Sequence, residues 1–229
     1  MASPIMHVVL ALKILFLLPS ALDKKEFIIG TSFPDIRYLA HLSREETHIE
    51  PVSWSDITTC SSSFKAGMLF HNLVDILRII HFEPHFYQRQ KPWMYSTSHI
   101  RLFPLVMKMA EDHALYDTVH EWNEIIGYFD TILEEEKALC PDLDILQKWH
   151  RLLQNYFRER PSAESVDQFL RGVGGINLYT DRANFNSIHV FENLVSDIQF
   201  IEKIQEFYEL FETLLSSELL ETPPITCVV

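Results

Sequence analysis

The segment from Asn184 to Glu221 carries apolar residues at intervals of three and four positions over about forty residues. Such a period places the apolar side chains on one face of a helix, and that face must be covered by other elements. We predict one long helix or two abutting helices packed on a bundle. The apolar positions are Ile188, Phe191, Leu194, Val195, Ile198, Ile201, Ile204, Phe207, Phe211 and Leu214.

The rest of the chain also has the composition of a helical protein with a dry core. It is 47% hydrophobic, with 16 Phe and only six glycines among its 229 residues. The predicted fold class is therefore all-α, a multi-helix bundle with a C-terminal helical extension. The earlier predicted helices span residues 6–18, 64–82, 100–112, 115–138, 141–160 and 162–172.

Glycine and proline positions predict where the helices are interrupted. Residues 22–50 are predicted to be loop-rich because Gly30 and Pro34 fall within them and Pro51 follows them. The glycine cluster at 172–175 lacks the features of a phosphate-binding loop and predicts a turn.

The predicted elements group into one core with helices added to it. Residues 1–138 are predicted to form a helical core that holds the functional site, residues 139–222 C-terminal helices packed on that core, and residues 223–229 a loose tail.

Charge is distributed unevenly along the chain. Residues 1–110 carry a net charge of +2 and residues 111–229 a net charge of −15. The acidic half repels phosphate backbones, so a nucleic acid is an unlikely partner. Seven of the eleven histidines lie in the near-neutral first half, which directs the search for a site to that half.

Cysteine usage and hydropathy bear on the compartment. Cys60, Cys140 and Cys227 are widely spaced and odd in number, which predicts neither a disulfide framework nor a thiolate metal cage and is typical of the cytoplasm. The apolar run Val8–Leu18 is too short to span a bilayer, and we expect no transmembrane segment. The alternative is a secreted protein in which residues 1–21 act as a signal peptide.

The clearest chemical signal is His71 and Asp75, four residues apart on the predicted 64–82 helix. This spacing puts both side chains on one helical face, where they can bind one cation. The flanking residues are apolar, so the pair faces an interior or a cleft and needs partners. The alternative is a structural hydrogen bond between the two.

Three further features precede this pair. His7 opens the first predicted helix, Pro34 and Asp35 form a turn that can aim a carboxylate inward, and His48 follows Thr47. Each of these features is common when it occurs alone.

In this order, the features resemble the zinc-dependent phospholipase C family, which is related to the single-strand-specific zinc nucleases. The motifs are His7, Gly30 with Pro34-Asp35-Ile36, Thr47-His48, and Phe64-x-x-Gly67-x-x-x-His71-x-x-x-Asp75. The resemblance covers roughly residues 1–112 and implies an all-helical fold of that type. It also implies that the metal ligands are His7, Asp35, His48, His71 and Asp75, with Asp35 either a ligand or the general base.

The resemblance implies further roles and a cofactor. Glu111 or Asp112 would match an additional acidic metal position, and Arg37 or Arg78 would bind the substrate phosphate. Imidazole and carboxylate ligands suit Zn²⁺. One or two ions are expected rather than three, because the family's metal-binding N-terminal Trp has no counterpart here.

The expected function is hydrolysis of a phosphodiester, in a phospholipid or a small molecule, by a metal-activated water. A nuclease-like phosphodiesterase is an alternative within the same chemistry. A different alternative is a non-catalytic helical interaction protein with a degenerate metal site. In that case the C-terminal helix would present an aromatic stripe to a partner, formed by Phe191, Phe200, Phe207, Tyr208 and Phe211.

Overall fold

The computed structural model describes residues 3–82, 103–174 and 185–216. All regular secondary structure in these ranges is helical, which confirms the predicted all-α multi-helix bundle. None of the helices in these ranges has both the length and the apolar character needed to cross a membrane. The predicted tail at 223–229 lies outside the described residues.

The part of the chain before residue 83 contains two long helices and several short ones. A 3₁₀ turn, Leu15–Leu17, follows the first helix, and a second, Pro34–Ile36, precedes the third. The helices are α1 (Pro4–Ile14), α2 (Lys24–Ser32), α3 (Arg37–Ala40), α4 (Arg44–Thr47), α5 (Trp54–Thr58) and α6 (Ser63–Phe82).

The later described ranges contain seven more helices. The last two abut at Asp197, whose Oδ1 accepts a hydrogen bond from the backbone N–H of Gln199 at 2.9 Å and so caps the final helix. Of the two predicted alternatives, one long helix or two abutting helices, the structure shows the second. The seven are α7 (Phe103–Leu115), α8 (Trp122–Tyr128), α9 (Glu134–Leu139), α10 (Leu143–Tyr156), α11 (Ala163–Gly174), α12 (Phe185–Ser196) and α13 (Ile198–Leu215).

Helices α2 and α6 cross with their backbones in contact, because each has a glycine at the crossing. A Cβ atom on Gly30 would lie 2.0 Å from the carbonyl oxygen of Phe64, and one on Gly67 would lie 2.7 Å from the backbone nitrogen of Thr31. Only glycine permits this approach. The crossing fixes the position of the α6 face that carries His71.

Helix α1 lies in the core, packed against α2, α6, α7 and α13. Its residues from Pro4 to Ala11 are all buried. The N-terminus of α1 is tied to α7 by Asp112, whose Oδ1 accepts hydrogen bonds from the Ser3 hydroxyl and, at 2.7 Å, from the backbone N–H of Met6. His7 therefore enters the interior on a helix that is fixed at its start.

The aromatic stripe of α12 and α13 faces inward. Phe200, Phe207 and Phe211 are fully buried, and Phe211 meets Phe70 of α6 with ring centroids 5.9 Å apart. These rings belong to the core, which argues against the alternative in which the stripe is presented to a partner.

The prediction that residues 22–50 are loop-rich is wrong. Asp23 caps α2 through a hydrogen bond from the backbone N–H of Glu26 at 2.9 Å, and the helix continues through Gly30. Gly30 is present for the helix crossing and does not break the helix. Pro34 begins a 3₁₀ turn, where its missing N–H costs nothing.

Two other predicted boundaries are also wrong. The helix predicted for 115–138 is divided into a 3₁₀ turn, α8 and α9, because Val119 and Leu133 adopt extended backbone conformations. The predicted turn at 172–175 is helical as far as α11 extends, to Gly174. Gly172 is used for packing, since a Cβ there would lie 2.2 Å from Cδ2 of Leu152.

Candidate metal centre

His71 is held in one orientation by a backbone carbonyl of the helix that crosses its own. It is 1% exposed, and its Nδ1 lies 2.8 Å from the carbonyl oxygen of Thr31. A proton on Nδ1 satisfies this contact and leaves Nε2 unprotonated in the neutral ring. Nε2 lies 3.9 Å from Oδ2 of Asp75 and has no hydrogen-bond partner.

His7 repeats this arrangement from α1. Its Nδ1 lies 2.9 Å from the carbonyl oxygen of Ser3, and its Nε2 lies 3.3 Å from the carbonyl oxygen of His71. The shorter contact favours a proton on Nδ1. Its Nε2 lies 3.8 Å from Oδ1 of Asp75. The rings of His7 and His71 stack with centroids 4.1 Å apart and planes 18° apart. Both histidines therefore present Nε2 to the same carboxylate.

His48 and Asp35 form a second group of candidate ligands around His71. Asp35, on the 3₁₀ turn, is 4% exposed, and His48, just after α4, is 6% exposed. Nδ1 of His48 lies 2.9 Å from the hydroxyl oxygen of Thr47. That hydroxyl donates to the carbonyl oxygen of Arg44 and can accept a hydrogen bond from His48. The ring of His48 meets that of His71 edge to face, with centroids 5.2 Å apart.

The structure brings all five predicted ligands together, in two sets that share His71. One set is His7, His71 and Asp75, and the other is Asp35, His48 and His71. Within each set the potential ligand atoms lie within 4.8 Å of one another. Histidine ligands usually donate their second ring N–H to a carbonyl or carboxylate, as His7 and His71 do here.

Burial lowers the pKa of all three histidines, to about 3 for His71 and about 4 for His48. Burial alone would raise the pKa of the two aspartates, but the positive charges around them outweigh it. The pKa of Asp35 falls to about 2, and that of Asp75 lies well below its usual range, with Lys108 its strongest attractive neighbour. At neutral pH the site thus offers neutral imidazoles and ionised carboxylates, the forms that bind metals.

A small cavity adjoins the two sets of ligands. Its volume is about 180 Å³, including its open mouth. Its wall contains Trp149 of α10, so a helix from the C-terminal half contributes to the surroundings of the site. The other lining residues are Pro4, His7, Thr31, Ser32, Asp35 and His71.

Lys108 of α7 is a member of the site that the sequence did not reveal. Its Nζ lies 3.6 Å from Oδ1 of Asp75, and its side chain is 16% exposed. No local motif marks this lysine, because helix packing alone brings α7 beside α6.

The structure argues against the roles predicted for Arg78, Glu111 and Asp112. Nε of Arg78 donates to Oε2 of Glu111 at 2.6 Å, and a second contact joins the same two side chains. Both are fully or almost fully buried, so the guanidinium cannot bind a substrate and the carboxylate is already neutralised. Asp112 instead accepts hydrogen bonds from α1 and, at 3.1 Å, from the hydroxyl of Tyr156.

Arg37 remains a predicted substrate-binding residue. Its guanidinium lies over the ring of Tyr38, 4.1 Å from the centroid, and donates to the Tyr38 hydroxyl at 2.5 Å. Its Nε is buried and has no hydrogen-bond partner. Nε is therefore a buried donor that lacks an acceptor.

Comparison of the chain with protein-family models, curated proteins and solved structures found no match. The resemblance to zinc-dependent phospholipases C rests on the motifs between His7 and Asp75 alone.

Proposed function

We propose that this chain is a metal-dependent hydrolase of phosphodiesters that binds zinc through His7, Asp35, His48, His71 and Asp75. The observation that supports the proposal most directly is that Nε2 of His71 and Oδ1 of Asp75 are buried without hydrogen-bond partners. A buried polar atom left in this way costs roughly 1–3 kcal/mol. A cation bound to both atoms would remove that cost.

The types of ligand favour zinc. The two sets contain imidazoles and carboxylates and no thiolate, a combination that suits Zn²⁺. Zinc in proteins is most often bound by four ligands, and five side chains are enough for one ion or, with water, for two.

The residues around the ion have separable roles in this proposal. A zinc ion held by these residues would supply an activated water at neutral pH and would stabilise negative charge on a phosphoryl oxygen. Asp35 has a pKa of about 2, which makes it a weak base and favours its role as a ligand over that of general base. Arg37 is assigned to a phosphoryl oxygen because it is half-buried, whereas Arg78 is buried against Glu111.

A second candidate function is a helical interaction protein whose metal is structural. The size of the cavity favours it, because its enclosed space is only about 10 Å³, room for about one water molecule. The burial of His7 and His71, each 1% exposed, also fits a closed structural site.

The test is metal analysis of purified full-length protein, followed by thermal melting with and without a chelator. The hydrolase proposal predicts stoichiometric zinc, a lower melting temperature after chelation, and hydrolysis of bis-p-nitrophenyl phosphate. His71→Ala and Asp75→Ala should lose the zinc, whereas His189→Ala, at a side chain that is 71% exposed, should keep it. Wild type without zinc would refute the metal centre. Bound zinc without hydrolysis of aryl phosphodiesters or phospholipids would favour the structural role.

A further inference from the structure

Lys108 places a cation beside the candidate zinc ligands. A site that only bound a metal would not need a positive charge at this position. Its Nζ approaches Oδ1 of Asp75 to 3.6 Å, too far for a good hydrogen bond. Oδ1 is the same atom that is buried without a hydrogen-bond partner. Lys108 and His7 therefore lie near Oδ1 of Asp75, and His71 lies near Oδ2.

The balance of charge changes when a metal binds. Asp35 and Asp75 together carry two negative charges, which one divalent ion neutralises. The ammonium group of Lys108 then has no anion to balance it, although its side chain is only 16% exposed. A poorly solvated cation needs an anionic partner. A phosphodiester carries the single negative charge that would balance it.

Two of the nearby arginines already have carboxylate partners. Arg44 is paired with Glu50 at 2.5 Å. Arg78 is occupied by Glu111. Among the described residues, Lys108 is the cation whose paired carboxylate is also a candidate metal ligand, so metal binding changes its environment most.

The geometry points to Lys108 as the residue that binds the phosphate anion next to the metal, with Asp75 as its temporary counter-ion when the metal is absent. This inference rests on the proposed zinc site. It predicts that an anion enters the site only after the metal has neutralised Asp75. Lys and metal ions commonly share the charge of a phosphoryl group in this way.

Lys13 provides a matched control within the same chain. Its Nζ lies 3.5 Å from Glu212, and its side chain is 13% exposed, so the ion pair resembles that of Lys108 and Asp75 in both respects. Glu212 is not among the candidate metal ligands.

The experiment measures binding of inorganic phosphate by calorimetry to full-length protein loaded with stoichiometric zinc and freed of excess metal. Lys108→Met should keep its zinc, with equal or higher affinity because a like charge has been removed. It should bind phosphate at least about tenfold more weakly, as expected for loss of a charge-assisted contact. Lys108→Arg should restore most of the phosphate affinity, and Lys13→Met should match wild type in both measurements.

Each other outcome overturns the inference in a recognisable way. Phosphate affinity unchanged in a zinc-loaded Lys108→Met protein would show that the lysine is only a counter-ion, and the proposed function would survive. Loss of zinc in this variant would show that Lys108 is needed to hold the metal ligands in place, which contradicts its assignment to the phosphate. A wild type that binds no zinc would remove the proposed function together with the inference. Lys108→Gln, which keeps a polar group, replaces the Met variant if that variant does not fold.

Discussion

Gly67 of α6 lies against Phe27 of α2 so closely that a Cβ atom on the glycine would stand 2.2 Å from the phenylalanine carbonyl oxygen. The crossing also positions the first of the candidate metal ligands, because His71 follows Gly67 by one helical turn and donates to the carbonyl oxygen of Thr31. The close crossing of α2 and α6 at Gly67 thus determines both the packing of the two helices and the orientation of the His71 imidazole.

Gly67→Ala should destabilise the protein and disturb the site. The added methyl group meets backbone atoms that cannot rotate away, so the helices must separate, at a cost of roughly 1–3 kcal/mol. Urea unfolding measures the loss. Gly127→Ala is the control, since the nearest atom to its Cβ would be 4.0 Å away, and helix propensity should stabilise that variant by up to ~1 kcal/mol. Equal stability of the two variants would contradict the close crossing.

The metal-free protein should lose stability as the pH falls from about 6.5 to about 4. His48 and His71 have pKa values of about 4 and about 3 when folded, below their unfolded value of 6.5. The unfolded chain therefore binds more protons in this window, and each histidine contributes a slope of about 1.4 kcal/mol per pH unit. Denaturant unfolding at several pH values measures the slope. His71→Asn should reduce it, and a slope equal to that of wild type would count against the buried neutral imidazole.

Asp112 should give a pH dependence of opposite sign. Burial raises its folded pKa to about 7, so the folded state holds a proton that the unfolded chain releases near pH 4. Its contribution to stability is complete below the unfolded pKa and is lost as the pH rises to about 7. Asp112→Asn should therefore be more stable than wild type at pH 8. The Tyr156 hydroxyl can accept from the new amide while donating to Sδ of Met109, 3.2 Å away.

Asp112→Ala separates this titration from the hydrogen bonds. It leaves the backbone N–H of Met6 without its acceptor and should destabilise the protein at every pH. If the Asn and Ala variants respond to pH in the same way as wild type, the raised pKa is refuted.

The Arg78–Glu111 pair should show strong coupling. Arg78→Met leaves the carboxylate of Glu111 buried, and breaking such a pair costs roughly 3–5 kcal/mol. The double variant with Glu111→Leu should recover most of this loss, because neither charge remains. A double-mutant cycle in urea measures the coupling. If the losses of unfolding free energy in the two single variants simply add up in the double variant, the two charges are not coupled and water reaches the pair.

The sequence predicted the features that depend on local spacing. His71 and Asp75 were predicted to lie on one face because they are four residues apart on a helix. The apolar period of the same segment predicted that helix. The convergence of His7, Asp35 and His48 followed from their resemblance to a family, since nothing in their own spacing implies contact. The structure supplies that contact through the crossing of α2 and α6 and the burial of α1.

Other features could not be predicted because packing between distant segments decides them. Gly30 was interpreted as a helix breaker, but its role depends on the backbone of Phe64. Lys108 and Trp149 reach the site only because α7 and α10 pack beside it. Arg78 and Glu111 were assigned to substrate and metal because nothing in the sequence shows that they neutralise each other.

The burial of α1 determines when the site can form in a growing chain. The amide of Met6 is bound by Asp112, which lies 106 positions later, and Nε2 of His7 approaches the carbonyl of His71 after 64 positions. Half of the chain must therefore leave the ribosome before Asp112 can hold the start of α1, and α13 must follow before that helix has all its neighbours. Until then part of its apolar surface is open to chaperones or to aggregation.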